Sequence, residues 1–200
     1  TAPSRDARVT TMYVDGLGRP LQTVVKEGSL QSGSSASDLV SPMIYDAYGR
    51  EELKFLPFAS TSSDGTFKNN AFEQQAGFYS QQMIGQTQSG FQETFYYGRT
   101  EFEKSPLNRV QNTFAPGDKW VGDGRGVGVI NVFNTLTDDV KKWTVIENPG
   151  GFATVSIDGV YTDGELFKTI TTDENTNQTI EYKDKSGKVL MKKVRLNAAM

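Results

Sequence analysis

Tyr45-Asp46-Ala47-Tyr48-Gly49-Arg50 is the stretch on which the fold class turns. An aromatic residue ends a strand, aspartate opens a turn, glycine closes it, and a cation begins the next strand. The aspartate can accept backbone N–H groups two residues on, and glycine supplies the positive φ of a tight, right-handedly twisted hairpin. The same cassette is written at Tyr13-Val14-Asp15-Gly16-Leu17-Gly18-Arg19, where Asp follows Tyr by two. Tyr96-Tyr97-Gly98-Arg99 lacks the Asp, and Tyr182-Lys183-Asp184-Lys185-Ser186-Gly187-Lys188 ends in Lys. The turn-forming residues under this reading are Asp15, Gly18, Arg19, Asp46, Gly49, Arg50, Gly98, Arg99, Asp184 and Gly187. Repetition makes a single common turn informative.

Outward from these turns the sequence reads as short runs of aromatic and β-branched residues divided by Gly, Asp, Asn and Pro, the signature of many short strands. Strands are expected at 9–14, 21–26, 43–45, 51–56, 91–97, 100–104, 109–114, 127–133, 143–147, 153–157, 166–171, 179–183 and 188–196. The expected class is mainly β, antiparallel hairpins forming a twisted sheet, an open barrel or a sandwich. One amphipathic helix interrupts it near 70–84, where Phe72, Ala76, Tyr79 and Met83 share a helical face, Asn70 and Glu73 have the form of a capping box, and Gly85 suits the C-terminus. The Ser-rich stretch Ser29–Asp38 and Ala59–Gly65 read as surface loops. The organisation expected is one domain over 1–200, with sub-lobes 1–117 and 129–200 meeting at the glycine-rich Asp118–Gly128.

Composition narrows the chemistry. Among 200 residues there is no His and no Cys, which excludes His-dependent triads, thiolate nucleophiles, disulfides and His- or Cys-ligated zinc. Hard oxygen-ligand metal sites remain. A net charge of -3 supplies no positive field for a phosphate backbone, so nucleic acid is not expected as a partner. The longest apolar stretch, Val127–Phe133, is too short to span a bilayer, so no membrane insertion by this segment is expected. The sequence begins at Thr1 and stops just after a strand-like run, so a segment of a longer polypeptide is expected.

Tyr45–Arg50 matches in full the Tyr-Asp-x-x-Gly-Arg core of the bacterial RHS, or YD-repeat, proteins, and the chain resembles that family. It is more closely similar to a domain of unknown function that lies N-terminal to the RHS repeats in very large surface or secreted proteins. The blocks that carry this resemblance are Tyr13–Gln22, Tyr45–Pro57, Phe102–Val110 with its Ser105-Pro106-Leu107-Asn108-Arg109 centre, Ala115-Pro116-Gly117 followed by Trp120, and Gly164–Lys192. The resemblance implies a non-enzymatic scaffold at the cell surface or secreted, which builds or caps a β shell with the remainder of the same polypeptide as its partner. It adds Asn108 and Arg109 to the turn residues and brings no catalytic, cofactor or metal residue with it.

Other chemistry is weaker. Glu101 and Glu103 point to one side of a strand and read as a solvated charged face beside Arg99 and Lys104. Asp173-Glu174-Asn175-Thr176-Asn177 resembles the opening of a calcium loop but lacks the glycine at the sixth position, so a hairpin turn is favoured. Gly122–Gly128 has no following Lys-Ser/Thr and is not a phosphate loop. Trp120 and Trp143 are the residues on which a sugar ring would stack if the chain were instead a surface glycan- or protein-binding module.

Overall fold

The computed structural model describes residues 8–29, 35–81 and 94–195. Among them the chain is mainly β, with antiparallel sheets, no closed barrel and one helix longer than a single turn. It divides into two compact units, Thr1–Gly126 and Val127–Met200.

In the first unit the strands are β1 (Thr10–Val14), β2 (Pro20–Ser29), β3 (Ser37–Pro42), β4 (Leu53–Phe55) and β5 (Phe58–Ala59), then helix α1 (Ala71–Gln81), then β6 (Tyr97–Phe102) and β7 (Val110–Phe114). One sheet runs β1-β2-β3-β5, and β4, β6 and β7 pair in the order β4-β6-β7, every pair antiparallel. Alternation sets the buried face. On β3 Asp38, Val40 and Pro42 point inward, Val40 lies opposite Val24 of β2, and both are fully buried with Phe58. Helix α1 closes this core with Ala71, Gln75 and Tyr79. Tyr79 stacks on Tyr96 at 4.9 Å between centroids and gives its hydroxyl to the Pro57 carbonyl at 2.8 Å.

The helix differs from expectation in its face. Ala76 is exposed and Phe72 is 42% exposed, while Gln75 is fully buried and its Nε2 donates to the Leu56 carbonyl at 2.6 Å. A polar residue on the inner face is invisible to an apolar count, and Phe72 still meets Phe55 edge-on at 5.0 Å. Asn70 Oδ1 accepts from Gln74 Nε2 at 2.7 Å instead of forming the capping box with Glu73. Met83 and Gly85 lie outside the described residues.

Two readings of loops are corrected. Ser37 and Asp38 belong to β3, with Asp38 fully buried, and Ala59 and Ser60 are buried too. Met43–Tyr45, read as a strand, follows the end of β3 and is irregular. Asp38 is taken into the core at a bulge in β2 between Val25 and Ser29, where Glu27 has φ 51° and its N–H donates to Asp38 Oδ1 at 2.9 Å. Gly28 is required there, because a Cβ would stand 2.8 Å from Val25 Cγ1.

The second unit holds β8 (Val127–Phe133), a 3₁₀ turn (Leu136–Asp138), β9 (Lys141–Ile146), β10 (Thr154–Val160), β11 (Phe167–Thr172), β12 (Gln178–Lys183) and β13 (Val189–Arg195). Strands β8, β11, β12 and β13 form an antiparallel sheet in that order, and β9 pairs with β10 as a separate hairpin. The core is small: Val140, Leu166 and Tyr182, flanked by Tyr161, Ile180 and Met191.

Candidate functional site

The Asp-x-x-Gly-Arg cassette folds into one repeated object. In Asp15–Arg19 and in Asp46–Arg50 the first residue's N–H donates to the fifth residue's carbonyl at 2.9 Å, and the fourth residue's N–H returns to the first residue's carbonyl at 3.0 Å. The aspartate Oδ1 accepts the N–H groups of the third and fifth residues, at 2.8 and 2.9 Å in both copies, and Oδ2 accepts the arginine Nε at 2.7 Å. Gly18 and Gly49 both have φ 78°, the left-handed conformation in which an L side chain is disfavoured.

Two more copies have this backbone in the second unit. Asp184–Lys188 carries Gly187 at φ 84°, and Asp184 Oδ1 also accepts the Ser186 hydroxyl at 2.6 Å. Asp173–Asn177 is the second: Asp173 Oδ1 accepts the N–H groups of Asn175 and Asn177, Oδ2 accepts Asn177 Nδ2 at 3.0 Å, and Thr176 holds the glycine position at φ 67°. The stretch compared with a calcium loop therefore forms the hairpin turn between β11 and β12. Ser105–Arg109 is a relative of the same turn. Ser105 Oγ accepts the Leu107 N–H, Asn108 takes the left-handed position at φ 51°, and Glu103 supplies the carboxylate that Arg109 needs, at 2.9 Å from Nε and 2.8 Å from Nη2.

Gly98 and Arg99 are a correction. They lie inside β6 and form no turn, because Gly98 pairs with Lys54 and Arg99 with Leu53 across the β4–β6 ladder. Gly98 is small for another reason: a Cβ there would stand 3.1 Å from the Phe114 carbonyl oxygen.

In the first unit the turns are cross-linked by their arginines. The Arg19 guanidinium lies over the Tyr45 ring at 4.9 Å, while the Tyr45 hydroxyl donates to the Pro20 carbonyl. Arg50, after binding Asp46, donates from Nη1 to Asn108 Oδ1 at 3.0 Å and covers the Phe102 ring at 4.7 Å. Turn one thus touches turn two, and turn two touches the Ser105–Arg109 turn. A planar guanidinium with several donors can do this and an ammonium cannot.

The electrostatics follow from those bonds. The backbone N–H of Arg19 holds Asp15 below the usual carboxylate range, aided by its guanidinium. At Asp46 burial opposes, and the Arg50 N–H and guanidinium win. Arg109 and the Ser105 hydroxyl hold Glu103 down to about 2. Each of these carboxylates is ionised at neutral pH with its oxygens already accepting two or more bonds, so its chemistry is that of an acceptor fixing a turn, not of an acid giving up a proton. Glu101 likewise pairs with Arg99 at 3.1 Å and accepts from Asn112.

Two charged clusters lie outside the turns and are completed by partners far away in sequence. In the first unit Lys68, its side chain 4% exposed, donates to Asp38 (0% exposed) at 2.7 Å and to Asp64 at 2.5 Å. In the second, Asp138 accepts from Lys168 at 2.6 Å, from the Tyr182 hydroxyl at 2.9 Å and from the Thr135 N–H at 2.8 Å, while Lys193 donates to its carbonyl. Burial raises the Asp138 pKa, but Lys168, the Thr135 N–H and the Tyr182 hydroxyl outweigh it and bring the group to about 2. A depressed acid stabilises the fold above its ordinary pKa and loses that contribution as pH falls through the folded value. The stability of the second unit is expected to drop between about pH 4 and pH 2, and Asp138→Asn is expected to flatten that drop in urea unfolding series at each pH.

The glycine position gives paired predictions of opposite sign. Gly49→Ala places a Cβ 3.2 Å from Arg19 Nη1 at a positive φ, and a loss of about 1–2 kcal/mol is expected. Thr176→Gly relieves a β-branched residue at φ 67° and is expected to gain up to about 1 kcal/mol. Thermal unfolding of both variants checks the signs.

Trp120 sits in a single π turn (Asp118–Gly122), half-buried with the Arg125 guanidinium over its ring at 4.7 Å. Trp143 lies on β9 in the second unit, 63% exposed. No curated protein and no solved structure matches the chain. Residues 1–132 match the family described as Domain of unknown function (DUF6443), a stretch that takes in the turns at Asp15, Asp46 and Ser105. More than half of the 200 residues are matched, and the chain belongs to that family.

Proposed function

We propose that this chain is a non-enzymatic structural segment of a large secreted or cell-surface protein of the bacterial RHS, or YD-repeat, kind, and that it builds or caps that protein's β shell. The observation that carries the reading is the reuse of one five-residue aspartate turn at Asp15, Asp46, Asp173 and Asp184, with a variant at Ser105, in which the charged groups are consumed by the turn itself; all but the Asp46 copy, which links β3 to β4, close hairpins. Arginines passing from one turn to the next, Arg19 to Tyr45 and Arg50 to Asn108, hold neighbouring turns together, as a wall requires. The partner is the remainder of the same polypeptide. The reading frame of the native gene tests this: further Tyr-Asp-x-x-Gly-Arg cassettes downstream support it, and a stop codon shortly after Met200 overturns it.

A second reading, a surface glycan-binding module, is favoured by one observation, the exposed Trp143 ring. Glycan arrays with the chain and its Trp120→Ala and Trp143→Ala variants decide it. Binding that falls in either variant supports the module, and no binding above background removes it.

A further inference from the structure

The second unit leaves two apolar faces open. On the β9–β10 hairpin Trp143 lies opposite Ile157 and Val145 opposite Val155, so all four share one face, and each is more than half exposed. This hairpin is a two-stranded sheet by itself, and such ribbons are marginal in water without something to pack on. On the four-stranded sheet Ile130, Ile170 and Ile180 lie directly opposite one another, as do Val132, Lys168 and Tyr182. Tyr182 and Ile180 meet the core, but Ile130 and Val132 on the same face remain 56% and 44% exposed.

We propose that two copies of this chain pair reciprocally through the second unit, the β9–β10 hairpin of each lying with its Trp143 face on the Ile130–Val132 face of the other. The proposal goes beyond the scaffold reading and does not depend on it. The pairing is isologous, so one contact generates the other and the assembly closes as a dimer. The area suffices. Covering the exposed parts of Trp143, Val145, Val155 and Ile157 and of the isoleucine and valine beneath them removes about 500 Å² per contact, or roughly 1,000 Å² for the symmetric pair, the threshold of a specific interface. Charge matches as well. Glu147, just past the end of β9, and Arg195, at the end of β13 on the Ile180 face, each have no ion-pair partner among the described residues. In the dimer they are placed to meet at the rim, and rim charges of opposite sign fix orientation.

Sedimentation velocity on the 200-residue chain tests this at micromolar concentration. A dimer of the 22.1 kDa chain is expected. Trp143→Glu is expected to weaken it about 100-fold or more, as a charge at a central aromatic anchor does. Glu147→Arg alone is expected to weaken it about 10-fold, and Glu147→Arg with Arg195→Glu to restore it. These last two positions are exposed or at a strand end, so they keep the test open if Trp143→Glu fails to fold. A monomer at all concentrations overturns the proposal and assigns the face to another segment or partner. A dimer that neither Trp143→Glu nor the charge exchange moves overturns it equally.

Discussion

Lys68→Met is expected to lower the stability of the first unit by about 3–5 kcal/mol, because it leaves Asp38 as a buried carboxylate without its counter-charge. Asp38 is fully buried and serves three masters at once: it accepts the Glu27 N–H at 2.9 Å, the Gly65 N–H at 2.7 Å and the Lys68 ammonium at 2.7 Å. It therefore ties the β2 bulge to the segment that leads into α1. Asp38→Ala is expected to cost at least as much as Lys68→Met, since two backbone N–H groups lose their acceptor as well. Asp64→Ala removes only the exposed arm of the cluster, and a loss of about 1 kcal/mol or less is expected. Urea unfolding in a Trp143→Phe background reads the first unit alone, because Trp120 is then the sole tryptophan. Equal losses at Asp38 and Asp64 would show that burial does not set the cost.

The second large effect belongs to Tyr182. It is 1% exposed, the largest of three buried apolar side chains among the described residues of its unit, and it combines a packed ring with a hydroxyl bound to Asp138. Lys168 and Lys193 lie over the ring at 5.8 and 5.6 Å. Tyr182→Ala is expected to cost about 3–5 kcal/mol, most of what so small a core supplies, and Tyr182→Phe about 1 kcal/mol for the hydroxyl alone. Trp143 fluorescence in a Trp120→Phe background follows this unit. The Ala variant is expected to lose its transition at temperatures where the Phe variant keeps it, and near-equal midpoints for the two would place the stability in the hydroxyl instead of the ring.

The part of the fold that was legible is the part made by neighbours in sequence. Asp15, Asp46 and Asp184 reach N–H groups two and four residues on, so their turns are written in five consecutive letters. Asp173 repeats the geometry and Ser105 varies it, with Thr176 and Asn108 in place of glycine; the first is legible as a turn from its oxygen-bearing side chains, and the second comes only with the family resemblance. The usable signal is a side-chain acceptor at the first position and a residue that tolerates a positive φ at the fourth. Gly98-Arg99 has the opposite fault: the letters fit but no aspartate opens a turn, and the ladder with β4 takes the residues.

What was hidden depends on contacts far apart in the chain. Asp38 sits at the end of a Ser-rich stretch and becomes a core residue only because Lys68 arrives 30 positions later. Gln75 is a polar residue whose burial depends on the Leu56 carbonyl, 19 positions earlier. The exposed face of β9–β10 has the alternation of an ordinary half-buried strand, and nothing local says that the buried half has no cover within this unit.

The scaffold reading meets its sharpest test in electron cryo-microscopy of the native full-length polypeptide. It predicts that the sheet of β8, β11, β12 and β13 runs on into further hairpins closed by aspartate turns, with residues 1–200 built into or across the end of the resulting wall. A free-standing domain whose sheet ends at β13, or carboxylates of this chain converging on a bound substrate, would contradict it.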